Sequence, residues 1–137
     1  MKGAFLLTFD TAVLSKVRRA IAAAGGVQWE GCQVLYEAPD AVQLEQLGTD
    51  HLFSLDEYDE RPDVAWAYRD GPHLPGPGVT LPNMSAIVAY GIDCRWEDLF
   101  ARLVRAVTEI SGQPAWVLDN DAVVWDARTV DPTKVRL

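Results

Sequence analysis

Two histidines, His51 and His73, are the side chains best suited to proton transfer near neutral pH, because an unperturbed imidazole titrates at about pH 6.5. His51 follows Asp50, a pairing that would suit a carboxylate-oriented base, and His73 stands in a segment rich in proline and glycine. Neither has a nucleophile beside it in the sequence. Ser15, Ser54, Ser85 and Ser111 lie outside any GxSxG context, so no acyl-transfer triad is legible. Asp93, Asp119, Asp121 and Asp126 would be the acids of a small carboxylate-based hydrolase or isomerase, but no spacing among them supports one.

Metal and phosphate chemistry receive equally little support. Asp56, Glu57, Asp59 and Glu60 offer the hard oxygen ligands calcium prefers, without the spacing or central glycine of an EF-hand loop. Asp119-Asn120-Asp121 has the length of a hairpin turn, and these residue types hydrogen-bond their own backbone in turns. Cys32 and Cys94 are far apart, with no CxxC and no nearby histidine, so a structural zinc site is not expected. Two buried reduced thiols are expected, with a disulfide as the alternative. The run from Gly71 to Gly78 is no phosphate cradle, because its prolines remove the N–H donors such a loop needs. No cofactor is expected.

The charge map is more informative. The chain has 137 residues and a formal net charge of -8. Residues 1–36 carry a net +2, residues 37–70 a net -8, and residues 71–137 a net -2. The excess therefore lies in one quarter of the chain, where self-repulsion favours a solvated segment. An acidic surface disfavours nucleic acid, whose phosphates require a basic one. Within that segment Asp56, Glu57, Tyr58, Asp59, Glu60, Asp63, Trp66 and Tyr68 combine carboxylates that steer with aromatics that anchor. These eight are the candidate partner-binding residues. The plain alternative is a solubilising loop.

The positioning elements follow from periodicity. Phe5 to Phe9 reads as a strand, followed by Asp10 as a helix cap and a helix over 11–24 with Val13, Leu14, Val17, Ala20, Ile21 and Ala24 on one face. Gly25-Gly26 stops it, and a hairpin over 27–36 is expected next. A second set matches: strand 87–90, Asp93 as cap, a helix over 95–111 striped by Trp96, Leu99, Phe100, Leu103, Val104, Val107 and Ile110, then Gly112 and a hairpin over 115–125. We read this as two βαββ units, 4–38 and 86–127, within one domain spanning 1–137.

Between the units, 41–47 reads as a short helix, 51–55 and 64–68 as strands, and 71–83 as an extended loop that could be functional. The tail over 135–137 would add an edge strand or fray. The expected fold is α+β: a two-layer antiparallel sheet with two helices on one face, ferredoxin-like in arrangement.

That fold hosts many unrelated functions. The expectation is a non-catalytic interaction protein, in its strongest form an immunity- or inhibitor-type protein that covers a basic protein partner with its acidic surface. The alternatives are a small-ligand-binding or regulatory domain and, third, the carboxylate enzyme above. The apolar run Ala4 to Phe9 is too short for a signal peptide and no apolar stretch is long enough to span a bilayer, so a cytoplasmic protein without membrane contact is expected. The Ala- and Arg-rich composition suits a bacterium of high GC content. A homodimer through an exposed edge strand stays open.

Overall fold

The computed structural model describes residues 2–20, 32–38, 41–46, 51–57 and 71–137. Strand β1 (Lys2–Thr8) leads into helix α1 (Val13–Ala20), and β2 (Cys32–Ala38), β3 (Ala41–Gln46) and β4 (His51–Glu57) follow. The second half holds β5 (Leu74–Pro75), β6 (Val88–Cys94), helix α2 (Glu97–Ser111), β7 (Ala115–Leu118) and β8 (Val123–Asp126). The strands form one open sheet in the order β2-β3-β4-β6-β1-β7-β8-β5. The chain is thus α+β.

The sheet is mixed rather than wholly antiparallel, because β5 runs parallel to β8. The Pro-Gly segment supplies this extra strand. Leu74 N–H donates to Ala122 O and Gly76 N–H to Val124 O, each at 2.8 Å. Pro75 falls between the two donors, so its missing N–H costs the ladder nothing, the position in which an edge strand tolerates proline.

Helix α2 forms as its stripe predicts. Leu99, Phe100, Leu103, Val104 and Val107 are buried, Glu97 and Asp98 occupy the first turn, and Gly112 at φ 70° closes the last turn with its N–H on Thr108 O. Glycine takes that left-handed conformation without a Cβ clash. Trp96 lies outside the helix at the N-cap and is exposed, with the Arg95 guanidinium 5.6 Å from its ring centroid. Asp93 does not cap α2. Strand β6 continues through it to Cys94, and Asp93 pairs with Gly3 of β1 and Ser54 of β4.

One sheet face packs on the helices. Leu6, Tyr90, Ile92, Phe53 and Val117 meet the α2 stripe together with Val13 and Val17 of α1. The opposite face carries Leu7, Ile87, Ala89, Leu118 and Val124, packed with Phe5, Val79, Met84 and Trp116. Val79, Met84 and Ile87 come from or adjoin the Pro-Gly segment, so this segment covers the β7–β8 side of that face.

Residues 41–46 are a strand, not the short helix expected. Val42 pairs with Leu55 and Leu44 with Phe53. The alternation Val42-Gln43-Leu44-Glu45 has period two, and the β4 partner decides a window too short for helical spacing to count. Strand β2 pairs with β3, while the expected strand at 27–29 lies outside the described residues, as does the one at 64–68. The tail neither frays nor forms a strand: Asn120 N–H donates to Arg136 O at 2.8 Å and Val135 is buried.

Candidate functional site

The carboxylates divide into those absorbed by the fold and those presented by it. Asp10, just past β1, is 4% exposed. Its Oδ1 accepts the Ala12 N–H at 2.8 Å, capping the entry to α1 as the sequence predicts. Its Oδ2 accepts the Ser111 hydroxyl at 2.6 Å and the Lys16 ammonium, which the sequence did not reveal. The Tyr90 hydroxyl donates to the Asp10 carbonyl at 3.1 Å, and the Asp10 N–H donates to Thr8 Oγ1 at 3.1 Å. Burial alone would raise the Asp10 pKa, but the bonds from Lys16, Ser111 and Ala12 outweigh it and hold the carboxyl below the usual range. This cluster ties the start of α1 to the end of α2.

Asp119 is buried and accepts four hydrogen bonds. Asp121 N–H and Val123 N–H reach Oδ1 at 2.9 and 3.0 Å, and Trp125 Nε1–H and Arg136 N–H reach Oδ2 at 2.8 and 3.2 Å. Its acceptor capacity is spent on the β7–β8 turn and the tail, which leaves little for a catalytic role. Asp126 caps a turn through Arg128 N–H, and Asp121 lies 3.8 Å from the Arg136 guanidinium in an exposed pair. Cys94 is a buried free thiol, and burial pushes its pKa up to about 11. Among the described residues no group of three or more His, Cys, Asp or Glu is placed to hold a metal.

Asp93 is exposed on the open face of the sheet. It stands on the central strand pair, where Gly3 faces Asp93 and Phe5 faces Gly91. Side chains alternate along a strand, so these four residues form one square on the face opposite the helices, where Phe5 packs. Two corners are glycine, one aromatic and one acidic. A Cβ on Gly3 would lie 3.1 Å from Asp93 Oδ1 and 3.3 Å from Ile92 O, so the carboxylate lies over the Gly3 backbone in room that glycine leaves. The result is a concavity of about 310 Å³ lined by Gly3, Phe5, Gly91, Asp93 and Asn120. A neighbouring one of about 200 Å³, lined by His73, Pro72, Leu118 and Ala122, shares Phe5 and Asn120 with it.

No family model, no curated protein and no solved structure matches this chain. The site must therefore be read from its own geometry.

Of the candidate partner-binding residues, Asp56 and Glu57 belong to β4, where Asp56 pairs with Gly91 and Glu57 with Tyr90. The acidic segment thus begins on the strand next to β6, in register with the glycine square. Tyr58, Asp59, Glu60, Asp63, Trp66 and Tyr68 lie outside the described residues. His73 lines the smaller concavity, and His51 is in β4 opposite Glu45. Sequence pattern assigns Phe5 to a strand and Asn120 to a turn and gives neither them nor Gly3 and Gly91 a binding role. Its available signal was an isolated glycine inside each of two apolar strands, a pattern that marks close approach of another group.

Proposed function

We propose that this chain is a non-catalytic interaction protein that binds a basic protein partner through an acidic surface, in the manner of an immunity or inhibitor protein of the bacterial cytoplasm. The observation that carries the reading is the placement of the charge. Residues 37–70 hold a net -8, and their run of acids starts at Asp56 and Glu57 on β4, beside the strand that presents Asp93. A field of one sign over a broad face accelerates encounter with a partner of opposite sign and rejects partners of like sign.

The same reading takes the four central strands β4-β6-β1-β7 as a ferredoxin-like core made from two diverged halves, with both helices on one face. Its support is the strand order: β1 and β6 are adjacent, the passage through α2 leads from β6 to β7, one strand beyond β1, and the passage from β1 through α1 reaches β4, one strand beyond β6, only after the edge pair β2–β3. No helix among the described residues is long and apolar enough to cross a membrane, which agrees with a partner met in solution.

The test is capture from a host extract with the wild type beside a variant carrying Asp56→Asn, Glu57→Gln, Asp59→Asn and Glu60→Gln. A protein of net positive charge retained by the wild type and lost by the variant supports the reading. Equal retention by both, or retention of none, overturns it.

A further inference from the structure

We propose that the two joined concavities on the open sheet face form one binding site for a small primary amine with a short apolar body. The proposal goes beyond the protein-partner reading and does not depend on it. The larger lobe, about 310 Å³, is the space left beside the side chains of Asp93 and Asn120, and the smaller, about 200 Å³, is lined by Pro72, His73, Leu118 and Ala122. Phe5 and Asn120 line both. Together the lobes fall within the range of small-ligand sites, about 300–1,000 Å³.

The walls are fixed without a ligand. The β7–β8 turn is pinned by the four hydrogen bonds to Asp119, and Asn120 N–H donates to Arg136 O at 2.8 Å. The segment that carries Pro72 and His73 is tied to the sheet at the next residue, where Leu74 N–H donates to Ala122 O at 2.8 Å. Phe5 and Leu118 are packed in the apolar cluster of this face. A site built on elements held in this way loses little freedom when it is filled.

The lining is polar at one end only, and that selects the ligand. Asp93 makes no hydrogen bond or ion pair with any described residue, so its carboxylate is open to a cation. The Asn120 carboxamide likewise makes no hydrogen bond with a described residue, and its oxygen is a second acceptor. An ammonium group has three donors and no acceptor, which suits this pair, whereas a carboxylate or phosphate would be repelled by Asp93. The smaller lobe offers no second charge. The Asp119 oxygens that border it are spent on their four donors, and Pro72, Leu118 and Ala122 present carbon. The body of the ligand lies against these three and needs no open face of the Phe5 ring.

The test is a nuclear magnetic resonance titration of the full chain with phenethylamine in the millimolar range at constant ionic strength, following backbone amides. Saturable shifts are expected at Gly3, Asp93, Leu118 and Asn120. 2-Phenylethanol, which lacks the charge, and methylamine, which lacks the body, should each bind about five-fold more weakly or less tightly still. Asp93→Asn, an isosteric change at an exposed site, should weaken phenethylamine by about the same factor and leave 2-phenylethanol unaffected, with the rest of the spectrum unmoved. Shifts that do not saturate or that miss these residues, equal binding of 2-phenylethanol or of methylamine, or indifference of phenethylamine to Asp93→Asn overturns the site.

Discussion

Replacing Asp10 with alanine removes one carboxylate and orphans three donors, so its cost can be worked from the geometry. The Ala12 amide loses its cap acceptor, typically worth about 1 kcal/mol. The Ser111 hydroxyl loses a 2.6 Å bond to a charged acceptor, worth about 1.5–3 kcal/mol. Lys16 loses its partner, but its side chain is 21% exposed and reaches water, so the ion pair contributes about 0–1 kcal/mol. Together Asp10→Ala should cost about 3–4 kcal/mol. A chain of this length loses about 3 °C of Tm per kcal/mol, so thermal unfolding followed by circular dichroism should show a fall of about 10 °C.

Acid unfolding supplies a second readout for Asp10. Its folded-state pKa is depressed, so its contribution is fully present above the ordinary aspartate value and is lost as pH falls through the folded value. Wild type should therefore lose stability below about pH 4 more steeply than Asp10→Asn, which has no carboxylate to protonate. A Tm change below about 3 °C for Asp10→Ala, with parallel acid limbs for wild type and Asp10→Asn, would refute the anchoring role.

Two further outcomes follow from other buried groups. Asp119→Ala should release the tail, because Arg136 N–H and the Trp125 indole lose their acceptor; limited trypsinolysis should then cut after Lys134 far faster than in wild type, and an unchanged rate would contradict the four-bond account. In a Cys32→Ser background, Cys94 should resist a thiol reagent at pH 8 until the chain is unfolded by denaturant, since burial holds its pKa at about 11. The same shift makes stability whole below the ordinary thiol value and lost as pH rises from there through about 11. Rapid labelling of native protein would refute it.

The sequence made the second half of the fold the more legible. The α2 stripe, its stop at Gly112 and the turn at 119–122 all follow from local rules, because each is settled by neighbours within one or two turns of chain. Residues 41–46 went the other way because six residues with Val42 and Leu44 fit either period, and only pairing with Phe53 and Leu55 decides. Asp93 resembles a cap by its place before a helix, yet the strand runs past it, a boundary that local patterning sets poorly.

The candidate sites show the same division. The cap at Asp10 was readable, whereas its bond to Ser111 joins residues far apart in the chain and needs the packed helices. The glycine square likewise requires the β1–β6 register, since Gly3 and Asp93 meet only across strands. The Pro-Gly segment was readable as extended, but its pairing with β8 depends on an edge that local sequence does not reveal.

The most direct test of the acidic-surface account is calorimetric titration of the purified partner at low and at high salt, with wild type and the fourfold Asp56, Glu57, Asp59 and Glu60 variant. Screening shortens the reach of exposed charges from about 30 Å at 0.01 M to about 3 Å at 1 M ionic strength. The account predicts that wild-type affinity falls steeply with salt and that the variant binds weakly with a flattened salt dependence. Equal affinities with equal salt slopes for the two proteins would contradict it.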